Sequence, residues 1–484
     1  MALTAGQSAA LHAMNAGRNV FLSGEAGTGK SFVLRTFLEQ TDRNVVVCAP
    51  TGIAAINVGG TTLHRAFKVP MDPIGPEKEP QTVQEVIEKA QTIVIDEISM
   101  CRFDVFEFVA KSIRKAEKKA KHKKQLIVVG DFLQLPPVVT DKDRKALDFL
   151  WGDDAVRDGF AFQAPMWQDF DFVTVVLDEV MRQKGDSDFV TKLNDVRRGR
   201  VDALDWFNAN AAAKQPGICL CATNKEAERI NSTEIEKLKG RARIYRADSQ
   251  GNVSDTDKPV ADFLKIKPGM RVMSVINAKT GEFQNGTLGT VKTAELGVVL
   301  VHWDNGVTAE VEPYTWDIFD YKVDGKEVKK VTIGSFRQMP LKPAYAITIH
   351  KSQGQTYDSV NVYPNCFADG QLYVALSRCK TIEHLHLVKK IKPEWLRTSG
   401  DVLAFYGYNS DSVTNSNEPV VPPEPAPPAV PAEIVTESKT EGRGGKRDGA
   451  GRRGKYGSGP TKTIRVPVAA IPEIEALLAS KKWE

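Results

Sequence analysis

The stretch Asn19-Val-Phe-Leu-Ser-Gly24-Glu25-Ala26-Gly27-Thr28-Gly29-Lys30-Ser31 opens with an apolar run and closes on a glycine loop ending Gly-Lys-Ser. It fits G-x-x-x-x-G-K-[ST] directly after a strand-like segment. Gly24, Gly27 and Gly29 let backbone N–H groups turn inward around phosphate oxygens, and a helix starting near Lys30 adds its positive N-terminal end. Lys30 then reaches the β- and γ-phosphates of a nucleotide, and Ser31 offers a hydroxyl to Mg²⁺. With glycine at about 7%, the four fixed positions match by chance only about 0.02 times in a chain of this length. Glycine content alone does not produce the pattern.

Outward from this loop, NVVVCAP, TIVIDE and LIVVGD repeat the apolar-run-then-polar design of NVFLSG. Buried strands alternating with helical segments predict an α/β fold with a parallel sheet, whose ligands sit at the strand C-termini. A second set, TVVLDE, GICLCATN, YAITIHKS, SVNVYP and HLHLV, predicts another sheet after about residue 170. Between 262 and 340 the turns Asn285-Gly286, Asn305-Gly306 and Asp324-Gly325 predict hairpins and a small all-β insertion.

Thr92-Ile-Val-Ile-Asp96-Glu97 ends one of these strands with adjacent carboxylates. After a phosphate loop the chemistry needs both: Asp96 to hold the Mg²⁺ shell, and Glu97 to orient and deprotonate the attacking water. Gln134, in Gly130-Asp131-Phe-Leu-Gln134, carries an amide able to sense the γ-phosphate. These pieces imply ATP hydrolysis without separating a kinase from a motor. Taken alone, Arg182 in LDEVMRQ and Arg378 in LYVALSRCK read as surface salt-bridge residues.

The ordered blocks GEAGTGKS, APTGIAAINVGGTTLHRAF, VIDEISM, GDFLQLPPV, LDEVMRQ, AITIHKSQGQTYD and LYVALSRCK resemble the superfamily-1 DNA helicases. The likeness is to the petite-integration-frequency (Pif) type and its RecD and phage Dda relatives, over about residues 1–395. The resemblance implies two RecA-like lobes with ATP and Mg²⁺ in their cleft, single-stranded and forked DNA as substrate, and 5′→3′ translocation. It divides the chain into a first lobe, 1–165, with a short insertion at 67–81; a second lobe, 166–261 and 341–408; and an SH3-like insertion, 262–340. It implies that Arg182 and Arg378 complete the site from the second sheet and couple hydrolysis to closure. It further implies that Gln7 contacts adenine, that Gln353 and Gly354 lie near the nucleotide, and that Thr51, His64, Asn224, His350 and Lys351 face DNA. For His64 and His350 an interior hydrogen-bonded histidine is the alternative. Where the family carries its strand-separating hairpin, this chain has the short KVPMDPIGPEKEP, which implies modest duplex separation or a different pin.

The chain is 484 residues long, with 42% hydrophobic and 26% charged residues, which suits about three globular domains. It has no run of 18 apolar residues, no signal-peptide pattern at its start, and six cysteines without paired metal spacing. The expectation is a reduced, cytoplasmic protein without a membrane partner, with a nuclear or mitochondrial location left open. Seven prolines between Pro419 and Pro431 mark a linker over 409–442. Of the net charge of +4, the stretch Arg443–Arg465 holds eight basic residues and one acid, or +7, leaving −3 for the remainder. The basic tail, 443–484, is expected to neutralise phosphates or to engage a replication or recombination protein. Its last piece faintly resembles the start of a ribbon-helix-helix unit, with a docking element as the alternative. The basic segment 110–125, AKSIRKAEKKAKHKKQ, reads as solvated helix surface or as DNA contact. Two alternatives to a helicase stand: a translocating subunit of a nuclease complex, and a DNA-binding scaffold switched by ATP.

Overall fold

The computed structural model describes residues 3–152, 158–179 and 186–408. Arg182, the proline-rich linker and the basic tail with its ribbon-helix element lie outside the described residues. The chain divides into two units at Pro425–Ala426, and the second lies wholly outside them.

Six strands form the first sheet: β1 (Val20–Gly24), β2 (Val45–Ala49), β3 (Thr61–Thr62), β4 (Thr92–Ile95), β5 (Gln125–Val129) and β6 (Val173–Leu177). Their order is β3-β2-β4-β5-β1-β6, and every pairing is parallel. Helices cover both faces, so β1, β4 and β5 are buried along their whole length, as their unbroken apolar runs require. The order places β1 between β5 and β6, so the phosphate loop leaves the sheet beside the Gln134 loop.

The strand Val173–Leu177 corrects the sequence reading, which assigned TVVLDE to the second sheet. It pairs with β1 in register Val20↔Val173 to Gly24↔Leu177. An apolar run reveals a strand but not its partner; here the partner lies some 150 residues earlier in the chain. The second sheet is also all parallel, in the order Ala346–Thr348, Ile218–Cys221, Val360–Val362, Leu385–Leu387, Ala212–Ala213.

Antiparallel structure interrupts the second sheet. Five strands run in the order Thr308–Val311, Val298–Trp303, Leu288–Glu295, Arg271–Ser274, Leu341–Pro343 around a core of Val272, Val301 and Trp303. Of the three expected turns, Asn285-Gly286 and Asn305-Gly306 fall between strands of this sheet, and Asp324-Gly325 joins two strands of a separate sheet in the same antiparallel region. It begins earlier than 262, because Arg243–Arg246 pairs with Phe263–Ile266 and Tyr245 joins the same core. A long hairpin, Tyr314–Asp324 with Glu327–Gln338, reaches the first sheet, where the Tyr321 hydroxyl accepts from Val47 N at 3.1 Å. Nearby, Arg65 pairs with Asp257 at 2.8 Å.

One further segment departs from expectation. The helix Gly400–Phe405, assigned by sequence to the second lobe, packs into the core of the first sheet. Phe405 stacks on Phe162 with centroids 4.4 Å apart, and the Tyr406 hydroxyl lies 2.7 Å from Ser23 Oγ. Residues 68–84 form no strand; they strap the helix Phe103–Ala120. Ile74 N donates to Asp104 at 2.9 Å, Lys111 Nζ to the Pro76 carbonyl, and Lys115 Nζ to the Pro80 carbonyl at 2.6 Å. Two lysines of the basic helix are therefore held by backbone oxygens.

Candidate nucleotide site between the two parallel sheets

The phosphate loop joins β1 to the helix Lys30–Gln40. Gly24, Gly27 and Gly29 take φ of 146°, 87° and 92°, which a side chain would strain. Thr4 and Gln7 cap the helix Ala5–Asn15 reciprocally, and this fixes the Gln7 side chain. Gln7 Nε2 then donates to the Thr28 carbonyl at 3.0 Å, lodging against Gly29. Lys30 Nζ donates to the Gly24 and Glu25 carbonyls at 2.7 and 3.0 Å. Burial lowers the Lys30 pKa, against the pull of Asp131 and Glu97. Ser31 is exposed on the first turn of the helix.

At the end of β4, Asp96 Oδ1 accepts from Glu97 N at 2.9 Å. Burial raises the pKa of both carboxyls, and for Glu97 the Asp96 charge adds to the rise while Lys30 and Arg378 oppose it. Glu97 stands at φ 53°, a left-handed conformation costing a non-glycine residue about 1–3 kcal/mol. Strain of this kind persists where the surroundings hold it, and here the second sheet contributes: Gln353 Nε2 donates to Glu97 Oε2 at 3.0 Å. Among the described residues, Gln353 Oε1 is buried and has no hydrogen-bond partner. Gly354 follows at φ 77°. Arg378 is 1% exposed; its guanidinium donates to the carbonyls of Val374, Ser352 and Gln355. Gln353 by a hydrogen bond, and Arg378 through its charge, thus act on Glu97 from the second-sheet side.

Sequence reasoning passed over a second group. Asp131 follows β5 and has a fully buried side chain. Its oxygens accept from Gln134 Nε2 at 3.1 Å and from Arg197 Nη2 at 2.9 Å. Arg197 ends the helix Ser187–Arg197 on the second-sheet side, and its Nη1 is 4.0 Å from Glu25 Oε1 in the phosphate loop. Tyr373 and Tyr406 flank its guanidinium at 6.0 Å each. The Tyr373 hydroxyl accepts from Ala26 N at 3.3 Å. Asp131 was visible as a carboxylate at a strand end. Nothing local separated Arg197 from Arg198 and Arg200 beside it.

Thr51 caps the helix Gly52–Val58, and His64 lies half-buried on Leu63–Phe67. Asn224 is exposed at the start of Asn224–Lys237, while His350 and the exposed Lys351 share a 3₁₀ turn ahead of Gln353. Burial, then Arg102, lowers the His64 pKa; burial lowers that of His350. Both imidazoles are biased towards the neutral form. Among the described residues no helix is long and apolar enough to cross a membrane.

A profile of the PIF1-like helicase family matches residues 2–205. The chain is 34% identical over 432 residues to the ATP-dependent DNA helicase PIF1 of Danio rerio, covering 83% of this chain and 63% of that one. It therefore spans less than two thirds of that relative. With the ATP-dependent DNA helicase Pif1 of Bdellovibrio bacteriovorus it shares 31% identity over 421 residues, covering 83% of this chain and 90% of the other. Pif1 from Bacteroides sp. in complex with ADP-AlF4 superposes with a TM-score of 0.76 at 32% identity, over 85% of this chain and 98% of that one. Bacteroides Pif1 bound to ssDNA gives 0.60 at 33% identity. Identity sustained across almost the whole Bdellovibrio and Bacteroides proteins, on the same α/β architecture, answers the resemblance carried by the seven motifs: the chain belongs to the PIF1-like helicase family.

Proposed function

We propose that the protein is an ATP-dependent DNA helicase that translocates 5′→3′ on single-stranded DNA and opens forked substrates. The observation that carries this reading is the action of Gln353 and Arg378, from the second sheet, on Glu97 of the first. Hydrolysis at such a site responds to relative motion of the two sheets, as a motor requires.

In this reading ATP lies on the phosphate loop with its adenine against Gln7. Lys30 exchanges its carbonyl partners for β- and γ-phosphate oxygens. Glu97 accepts the proton of the attacking water, which adds to the γ-phosphorus as the bond to ADP breaks and phosphate leaves. Gln134 faces the γ-phosphate, and Arg378, together with Arg182, balances the charge that develops there. The Asp96 carboxylate and Ser31 hydroxyl are hard oxygen donors of the type Mg²⁺ takes. The described residues hold no cluster of three or more His, Cys, Asp or Glu that could cage a metal, so the phosphates would complete its shell. When bound, the ion neutralises phosphate charge.

The domain reading follows: lobes at 1–165 and at 166–261 with 341–408, adjusted for Val173–Leu177 and Gly400–Phe405, and an SH3-like element made of the five antiparallel strands. Thr51, His64, Asn224, His350 and Lys351 are the proposed DNA contacts. Residues 68–84 strap the first lobe, so strand separation falls to another element. The tail adds phosphate neutralisation or a protein contact.

The test is strand displacement on forks carrying either a 5′ or a 3′ single-stranded tail, with ATP and Mg²⁺. Unwinding that needs the 5′ tail supports the reading. DNA-stimulated hydrolysis without displacement would favour the ATP-switched scaffold.

A further inference from the structure

Asp131 presents a physical problem. Its side chain is fully buried beside the phosphate loop, where a carboxylate without a cation would be costly and would repel the phosphates of a nucleotide. Lys30 attracts it through space, but the cation that hydrogen-bonds it comes from the other sheet. Arg197 is 3% exposed, and it meets Asp131 with two nitrogens, Nη2 to Oδ1 at 2.9 Å and Nε to Oδ2 at 3.4 Å. The same Asp131 Oδ2 accepts from Gln134 Nε2 at 3.1 Å, and Asp131 Oδ1 from Leu133 N at 3.1 Å. One carboxylate therefore binds the arginine of the second sheet and the amide of the first-sheet loop at once.

The backbone repeats the connection. Gly370, at φ 65° before the helix Gln371–Leu376, lies so close to the Gln134 carbonyl that a Cβ there would come within 2.1 Å of it. The Gln134 loop is thus seated on the second sheet through both its main chain and its side chain. Because Nε2 is committed to Asp131, Oε1 is the end of the Gln134 amide left to accept from a water.

We propose that Arg197 is a positioning residue for hydrolysis: through Asp131 it sets the orientation of the Gln134 amide, so that γ-phosphate sensing on the first sheet depends on an arginine of the second. Arg197 touches neither nucleotide nor water in this scheme. Its role differs from that of Arg378, which acts on the charge of the transferred group. The inference rests on the ATPase reading above.

The experiment compares wild type, Arg197→Lys, Gln134→Ala and the Arg197→Lys/Gln134→Ala double variant as full-length proteins, at saturating single-stranded DNA. Single-turnover hydrolysis and the affinity for a fluorescent ATP analogue are read for each. Lysine keeps the charge but cannot form the two-pronged contact. The expected result is a fall in the hydrolysis rate of about 10²-fold from the displaced amide, with analogue affinity within about 3-fold of wild type, since sensing and binding separate here. In the Gln134→Ala background, Arg197→Lys should cost almost nothing further, because residues that act as one unit are not additive.

Arg197→Gln/Asp131→Asn, which removes both charges together, guards against a folding artefact. It should melt near wild type and still hydrolyse slowly. Full turnover by Arg197→Lys, effects that multiply in the double variant, or a change confined to KM would overturn the proposal. A wild-type protein without ATP hydrolysis would overturn the ATPase reading and this inference together. Wild-type hydrolysis that Glu97→Gln abolishes, combined with a fully active Arg197→Lys, would overturn the inference alone.

Discussion

At Glu97 two properties meet: a left-handed backbone, and a carboxyl whose burial, reinforced by Asp96, raises its pKa from 4.5 to about 7. A base must be ionised to take a proton, so kcat/KM for ATP should climb with pH through about 7 and level off above about 8. Glu97→Gln should bind nucleotide, lose about 10²–10⁴-fold in hydrolysis, and lose that limb of the profile. Stability carries the opposite sign. The folded-state pKa lies above the unfolded value, so this group's contribution is complete below about 4.5 and is lost as pH rises towards about 7. Glu97→Gln should accordingly melt higher than wild type at pH 8, with the difference shrinking towards pH 5. Calorimetry at the two pH values checks it; a constant difference would show that Glu97 does not titrate in this range.

At the scale of elements, the helix Gly400–Phe405 is a small piece of chain with a large share of one core. Val402 and Leu403 are buried in it, and the Tyr406 hydroxyl accepts from Phe132 N at 3.2 Å. Truncation after 408 should leave DNA-stimulated ATPase intact and reduce only the salt dependence of DNA binding, by about 0.7 in slope for each phosphate the tail neutralises. Truncation after 398 removes buried side chains worth about 1.5–3 kcal/mol each, several of them against a total stability of about 5–15 kcal/mol. That variant should be marginally folded, as limited proteolysis would reveal. The strap at 68–84 offers a second test. Lys111→Ala/Lys115→Ala should speed proteolytic cleavage between Pro70 and Pro80 while leaving single-stranded DNA affinity nearly unchanged. A clear loss of affinity would assign these lysines to DNA. What was legible in the sequence at this scale was local. The loop Gly24–Ser31, the pair Asp96–Glu97 and the Asn-Gly turns each state their chemistry within a few consecutive residues. The edge strand Val173–Leu177, the returning helix and the partner of Asp131 depend on contacts across 60 to nearly 400 residues, where periodicity and composition carry no information.

Taken whole, the chain leaves the first sheet after Leu177, builds the second sheet and its antiparallel insertion, and comes back to finish the aromatic core with Phe405. Phe21, Phe132 and Trp167, buried in the finished protein, all pack against that late arrival. On a ribosome this return introduces a delay. At about 5–20 residues per second, roughly 10–50 s separate the synthesis of the last strand of the first sheet from that of the helix that closes its core. Through that interval the nascent first sheet lacks the cover that Phe405 gives Phe21, Phe132 and Trp167, so chaperone binding to the growing chain is expected to fall once the last described helix has emerged.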